Sequence, residues 1–256
     1  MITRAFGAKP VRPDPRDYKA ATILRPTAVR EKYWDGPILL DQGGYGTCVA
    51  NAWTHLLTTD PIQHPDKRLL DPTTQPSYSK LGSSAYWTDP LTGDVDYSGN
   101  AYAAERYAVR LYDAIHDGAL EVLDPERNDG CHTQHGGDVL KKRGLVKSYY
   151  RAATADEAVQ AILSHGPVVF ASPWYRSMSD TRADVSRKFR WADVDPATGI
   201  IGYHAYLLDA AVTDISPARV RIRNSWGVSW GRRGLGWVTI EDLRTLWMNQ
   251  AFIAEE

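Results

Sequence analysis

The chain has 256 residues, of which 43% are hydrophobic and 24% are charged, the balance of an ordinary globular protein. Its 30 basic and 31 acidic residues give a net charge of -1, so no long-range field favours nucleic acid or an anionic membrane as a partner. No apolar run is long enough to span a bilayer, and the Pro- and Arg-rich residues 1–16 lack the apolar stretch of a signal peptide.

Residues 1–40 are expected to form an N-terminal arm, because they are rich in Pro and Arg and show little periodicity. A Gly-rich turn over 41–47 leads into a helical pattern from Cys48 to Leu57, where apolar residues recur on one face. Residues 59–99 contain five prolines and are interpreted as a long irregular insertion.

Further helices are predicted over Ala101–His116, Asp138–Lys142 and Asp156–Leu163. Thr154 is the expected N-cap of the last helix, with Glu157 at the capping-box position. From Gly166 the pattern changes to strands, which are predicted over Val168–Ala171, Tyr203–Leu208, Arg219–Arg223 and Gly236–Ile240. Helices first and strands later predict an α+β fold, with a helical lobe at about 41–150 and a β lobe at about 151–256.

The two cysteines, Cys48 and Cys131, differ in their surroundings. Cys48 opens a predicted helix, where the positive end of the helix dipole and the unpaired N–H groups favour a thiolate. A buried, inert cysteine is the alternative that this position leaves open. Since no signal peptide is seen, we expect a cytoplasmic, reducing location, or a virion if the chain is phage-encoded.

Two other segments carry candidate chemistry. His204 stands at the head of an apolar strand, where a core histidine is by itself the more common explanation. Asn224 follows the predicted strand Arg219–Arg223 and opens a loop with two Trp and two Gly, which a packed aromatic corner would also explain.

Together these segments resemble the papain family of cysteine peptidases. Residues 41–48 (DQGGYGTC) resemble the family's nucleophile motif, with Gln42 six residues before Cys48. Residues 202–205 (GYHA) resemble its histidine strand, and residues 224–234 (NSWGVSWGRRG) resemble its asparagine motif. The chain order Gln, Cys, His, Asn is also that of the family.

The resemblance implies a papain-like two-lobed fold, with a helical lobe, an antiparallel β-sheet or barrel lobe, and an active-site cleft between them. It implies a cysteine endopeptidase that forms a thioester acyl-enzyme on Cys48. His204 would act as base, Asn224 would orient the imidazole, and Gln42 would donate to the oxyanion together with the Cys48 N–H. The expected substrate is a protein or peptide, and no cofactor is expected.

The resemblance also suggests substrate contacts. Gly136 and Gly137 are expected to form a wall that pairs with an extended peptide. Ala171 and Ala205 are expected to floor the main specificity pocket, although close packing would also explain small residues there. Trp226 is expected to shield the histidine–asparagine contact and to line the substrate site.

Several residues depart from the family pattern. Tyr45 stands where many members have the disulfide partner of the position of Cys131, so Cys131 is expected to be a free thiol. Only 47 residues precede Cys48, fewer than the family's long inhibitory propeptide. Access to the cleft is therefore expected to be limited by residues 1–37 or by the insertion. Residues 13–18 resemble the leader of bacterial and viral members.

Besides a peptidase site, a metal site and two alternative functions have to be considered. His132 and His135 beside Cys131 do not match a standard zinc spacing, so no metal is predicted. The same Cys–His pair would serve a peptidoglycan or amide hydrolase. A virion or assembly component could keep the fold mainly for binding, with a partner held by the N-terminal arm or the 59–99 insertion.

Overall fold

The computed structural model describes residues 5–10, 18–36, 38–62, 101–116, 130–186 and 188–255. Most of the predicted insertion at 59–99 therefore lies outside the described residues. The described helices are α1 (Cys48–Leu57), α2 (Ala101–Ile115), α3 (Thr133–Lys142), α4 (Ala155–Ser164) and α5 (Ile240–Thr245). The described strands are β1 (Ala8–Lys9), β2 (Glu31–Tyr33), β3 (Cys131–His132), β4 (Ser148–Arg151), β5 (Val168–Tyr175), β6 (Arg182–Ala183), β7 (Arg190–Trp191), β8 (Ile200–Val212), β9 (Arg219–Arg223), β10 (Leu235–Thr239) and β11 (Ala251–Glu255).

These strands form one large sheet and one small one. The large sheet has the order β4-β11-β5-β8-β9-β10-β7-β6. Strand β2 also pairs with β8, at the C-terminal end of β8. Its pairings are antiparallel except that of β10 with β7. The small sheet is a parallel pair of β1 with β3.

An apolar core lies on each face of the central strands β5 and β8, because both faces of these strands carry buried residues. Helices α1, α2 and α3 pack on one face, around Trp53 and Leu140. Helices α4 and α5 pack on the other face, around Phe170 and Trp174. The result is an α+β fold of two lobes, as the sequence predicted.

The predicted elements are present, with different ends. Strand β9 has the predicted bounds, whereas β5 and β8 extend beyond them and α3 begins five residues before Asp138. Thr154 caps α4 by accepting a hydrogen bond from the Glu157 N–H at 3.1 Å. In a capping box the Glu157 carboxylate would accept the N–H of the N-cap residue, Thr154. Here it accepts the N–H of the preceding residue, Ala153, at 2.8 Å. None of the described helices has the length and apolar content needed to cross a membrane.

Candidate active site

Cys48 is the first residue of α1 and is fully buried. The backbone N–H groups of Ala205, Gly7, Val49 and Ala8 lie near its thiol and favour the charged form. Ala205 is the neighbour of His204 on β8, so the fold brings the two predicted catalytic segments together. Burial raises the pKa of the Cys48 thiol to about 11, and the N–H groups oppose this only in part. The helix start alone therefore does not make a thiolate in this state.

His204 and Asn224 meet because β8 and β9 are neighbours. Leu207 of β8 lies opposite Arg223 at the end of β9, so the next residue, Asn224, reaches the start of β8. His204 Nε2 lies 2.7 Å from Asn224 Oδ1, and the same oxygen accepts the Ser225 N–H at 2.8 Å. An amide oxygen only accepts, so His204 Nε2 carries the proton in this contact.

Aromatic rings enclose the imidazole. Trp226 stacks on His204 with 4.7 Å between ring centroids and 29° between planes. Trp174 meets the imidazole edge-on at 4.9 Å. Both indoles are buried, so they keep water from the His204–Asn224 hydrogen bond and strengthen it. The catalytic value of this shielding by Trp226 stays a prediction.

The asparagine loop also fixes Gln42. The Gln42 N–H donates to the Ser225 carbonyl at 2.8 Å, and Ser225 Oγ donates to Gln42 Oε1 at 2.6 Å. Because Oε1 is occupied as an acceptor, the amide orientation of Gln42 is set and Nε2 is its donor. Nε2 donates to the carbonyls of Tyr45 at 2.7 Å and Ala5 at 3.2 Å.

The turn that carries Gln42 rests on a buried carboxyl group that the sequence analysis did not single out. Glu105 of α2 accepts the Asp41 N–H at 2.8 Å and is 7% exposed. Burial raises the pKa of Glu105 to about 8, with a smaller contribution from the Asp41 carboxylate. Gly227 has a φ of 65°, and a Cβ there would lie 2.5 Å from the Asp41 carboxylate, so glycine permits the close approach.

A buried ion-pair group, also missed, anchors the approach to this turn. Asp209 accepts from Arg221 and Arg223, each at 2.7 Å, and its side chain is fully buried. Arg223 also donates to the carbonyls of Gly36 and Ile38. Arg223, the residue before Asn224, thus binds the backbone of the segment that precedes Gln42.

No protein-family profile matches this sequence, and no curated protein matches it either. The structure is similar to that of xylellain, a cysteine protease from Xylella fastidiosa, with a TM-score of 0.53 and 18% identity over 100% of this chain and 97% of that one. The chain has a papain-like fold. A digestive procathepsin L 3 from Tenebrio molitor larval midgut has a TM-score of 0.49 and 15% identity, over 98% of this chain and 76% of that one.

Residues 5–9, which we call the strap, lie across the papain-like cleft. Besides the contacts of Ala5 with Gln42 and of Gly7 and Ala8 with Cys48, Phe6 lies edge-on to His204 at 5.9 Å and to Trp226 at 5.7 Å. The strap therefore contacts Cys48, His204 and Gln42 at once.

Close backbone contacts hold the strap in place. A Cβ on Gly7 would lie 1.8 Å from the Gly46 carbonyl oxygen, and a Cβ on Gly202 would lie 2.4 Å from the Phe6 ring. The Cys131 N–H donates to the Gly7 carbonyl at 2.7 Å, and Gln250 Nε2 donates to the Lys9 carbonyl at 2.7 Å. The sequence could not predict that these residues of the N-terminal arm cover Cys48.

The prediction for Gly136 and Gly137 is wrong. Both glycines lie inside α3, where helical backbone groups cannot pair with an extended peptide. A Cβ on Gly136 would lie 2.2 Å from the Trp53 ring, so these glycines allow α3 to pack closely. The segment beside the cleft that does pair with a strand is Cys131–His132.

Ala171 and Ala205 are paired across β5 and β8 and are both fully buried, in the same core cluster as Cys48. Their role as the floor of a specificity pocket stays a prediction. Cys131 is a free, buried thiol, as expected, and burial raises its pKa well above the usual value.

Proposed function

We propose that the chain is a cysteine peptidase that hydrolyses peptide bonds through Cys48, His204 and Asn224. The observation that carries this proposal is the meeting of the three segments. His204 Nε2 is hydrogen-bonded to Asn224 Oδ1 at 2.7 Å, and the N–H of the residue after His204, Ala205, lies near the Cys48 thiol. Nucleophile, base and orienting amide thus share one small volume.

In the proposed reaction, His204 Nδ1 takes the thiol proton of Cys48 and the sulfur attacks the peptide carbonyl carbon. Asn224 keeps the imidazole oriented by holding Nε2, so that Nδ1 is the nitrogen left to act as base. The imidazolium then gives its proton to the leaving amine as the C–N bond breaks. The product is a thioester on Cys48 and a free amine.

The negative oxygen of the tetrahedral intermediate would receive hydrogen bonds from Gln42 Nε2 and the Cys48 N–H. Ser225 supports this role because it occupies Oε1 and directs Nε2 as the donor. Loss of one such donor typically costs about 3 to 4 kcal/mol of transition-state stabilisation. Water, deprotonated by His204, then hydrolyses the thioester and restores the thiol.

Hydrolysis of casein and of fluorogenic peptides tests the proposal, with Cys131→Ala as the matched control for Cys48→Ala. We expect Cys48→Ala to abolish turnover and Cys131→Ala to retain it. Turnover that survives in Cys48→Ala would refute the proposal. Cleavage of cell-wall peptides but of no protein substrate would replace it by the amide-hydrolase alternative.

A further inference from the structure

A concave site away from the candidate active site is formed by β2, β9, β10 and the loops before β7 and β10. We call it the basic pocket. Its volume is about 490 Å³, within the range of small-molecule sites. Its lining shares no residue with the candidate active site.

Positive charge dominates the basic pocket. Lys188, Arg219, Arg221 and Arg232 line it, and the described lining residues include no Asp or Glu. Arg221 is paired with Asp209, but that carboxylate also serves Arg223, so two guanidinium groups share one negative charge. The lining therefore carries uncompensated positive charge.

Among the described acids near the pocket, Glu31 is exposed and Asp184 is partly exposed. Glu31 accepts a hydrogen bond from Tyr33. The hydrogen bond from Ser186 lowers the pKa of Asp184, and the nearby Arg219 cation lowers it further. Water screens solvated carboxylates of this kind, so they neutralise the lining only weakly.

Aromatic rings contact two guanidinium groups. Arg219 lies 4.3 Å from the Phe189 ring centroid and 4.9 Å from that of Trp237. Arg221 lies 5.2 Å from the Tyr33 ring centroid. Cation–π attraction at these distances restrains both side chains before a ligand arrives.

The Nε–H group of Arg219 is a hydrogen-bond donor without an acceptor among the described residues, and its nitrogen is buried. A buried N–H without an acceptor is costly, and an anion in the pocket would supply that acceptor. Arg232 is held in place by donating Nη1 to the Lys188 carbonyl.

We propose that the basic pocket binds a small phosphorylated ligand. The planar fork of a guanidinium matches two oxygens of a phosphate, and an ammonium such as that of Lys188 adds a point charge. The three rings give the pocket apolar walls, which would contact an organic group attached to the phosphate. This site is independent of the peptidase proposal.

Isothermal titration calorimetry on the full chain carrying Cys48→Ala tests this pocket without interference from proteolysis. The probes are inorganic pyrophosphate and phenyl phosphate. We expect both to bind, with affinity that falls as salt rises. Arg219→Gln and Arg232→Gln should each weaken binding by about five- to tenfold, as for loss of one charge-assisted contact.

Arg244→Gln is the matched control, since Arg244 is an exposed arginine on α5 outside the lining, and it should leave the affinity unchanged. Tighter binding of phenyl phosphate would identify an organic phosphate as the ligand, and tighter binding of pyrophosphate an inorganic one. If Arg219→Gln does not fold, Arg232→Gln alone decides. No heat of binding up to about 10 mM probe, or equal affinity in the Gln variants, would overturn the proposal.

Discussion

The two halves of the candidate active site differ in what completes them. His204 and Asn224 lie on neighbouring strands, and one hydrogen bond of 2.7 Å under a stacked indole joins them. Cys48 and Gln42 lie at a helix start and in the turn before it, and both are in contact with the strap. Sheet register thus completes the half with His204 and Asn224, which we call the base half after its proposed role. The strap covers the half with Cys48 and Gln42, which we call the nucleophile half after its proposed role.

This difference explains the electrostatics of the nucleophile. A helix N-terminus lowers the pKa of a thiol when water or a cation can reach it. Here Cys48 is fully buried, with the strap among its neighbours, and desolvation raises its pKa to about 11. The structure therefore corresponds to a covered state in which the thiol keeps its proton at neutral pH.

The largest effect is expected in the base half. Asn224→Ala removes the acceptor of His204 Nε2 and frees the imidazole to rotate, so kcat/KM on a peptide substrate should fall about a hundredfold. Asn249→Gly, at a loop asparagine outside the site that bonds to Trp247, should have little effect. Equal losses in the two variants would mean that stability and not orientation had changed.

The strap gives the second prediction. Deleting residues 1–10 should expose Cys48 and lower its pKa from about 11, which increases the thiolate fraction at neutral pH. The rate of alkylation by iodoacetamide should rise at least about tenfold, since each pKa unit is a factor of ten in thiolate.

Phe6→Ala should give part of this increase, because the Phe6 ring contacts His204 and Trp226. Tyr18→Ala, at an exposed aromatic residue of the same arm, is the matched control. An alkylation rate unaffected by the deletion would show that the strap does not restrain the thiol.

Glu105, which supports the turn that carries Gln42, should make the free energy of unfolding depend on pH. Its pKa is raised from 4.5 to about 8, so the folded chain keeps a proton that the unfolded chain releases above about pH 4.5. The free energy of unfolding should therefore fall as pH rises from about 4.5 to 8, by at most about 1.4 kcal/mol per pH unit, and level off above that.

Urea unfolding of wild type and Glu105→Gln at several pH values measures this effect. Gln can still accept the Asp41 N–H but cannot ionise, so the variant should lack this part of the decline. Parallel pH curves for the two proteins would exclude Glu105 as the source.

The smallest effect is expected at Ser225. Ser225→Ala removes the hydrogen bond that sets the amide of Gln42, and kcat should fall about fivefold, the size of one net hydrogen bond, with KM nearly unchanged. Ser164→Ala, at an exposed serine of α4, should change neither parameter. A change in KM alone would assign Ser225 to substrate binding.

Motifs and periodicity predicted much of this arrangement. The spacing around Cys48, His204 and Asn224 singled out residues that the fold brings together, and alternation of apolar residues gave β9 its observed ends. Apolar patterns are local, so they identify an element well and its partners poorly. The sheet order and the added strand β2 depend on contacts between residues far apart in the sequence.

The features that the sequence did not predict also depend on contacts between residues far apart in the chain. The strap residues Ala5 and Phe6 carry no pattern that predicts contact with Gln42 or His204. Glu105 looks like any polar residue of an amphipathic helix until Asp41 is placed against it. The family resemblance predicts an extended wall at Gly136 and Gly137, but both lie in α3, where close packing on Trp53 outweighs the low helix propensity of glycine.

The most direct test of the central claim is stoichiometric labelling with an epoxide reagent that alkylates activated thiolates, read by peptide mass spectrometry on the chain lacking residues 1–10. We predict one label per chain, on Cys48 and not on Cys131, and loss of that label in His204→Ala. Labelling of Cys131, or labelling of Cys48 at the same rate in His204→Ala, would contradict the proposal that His204 activates Cys48.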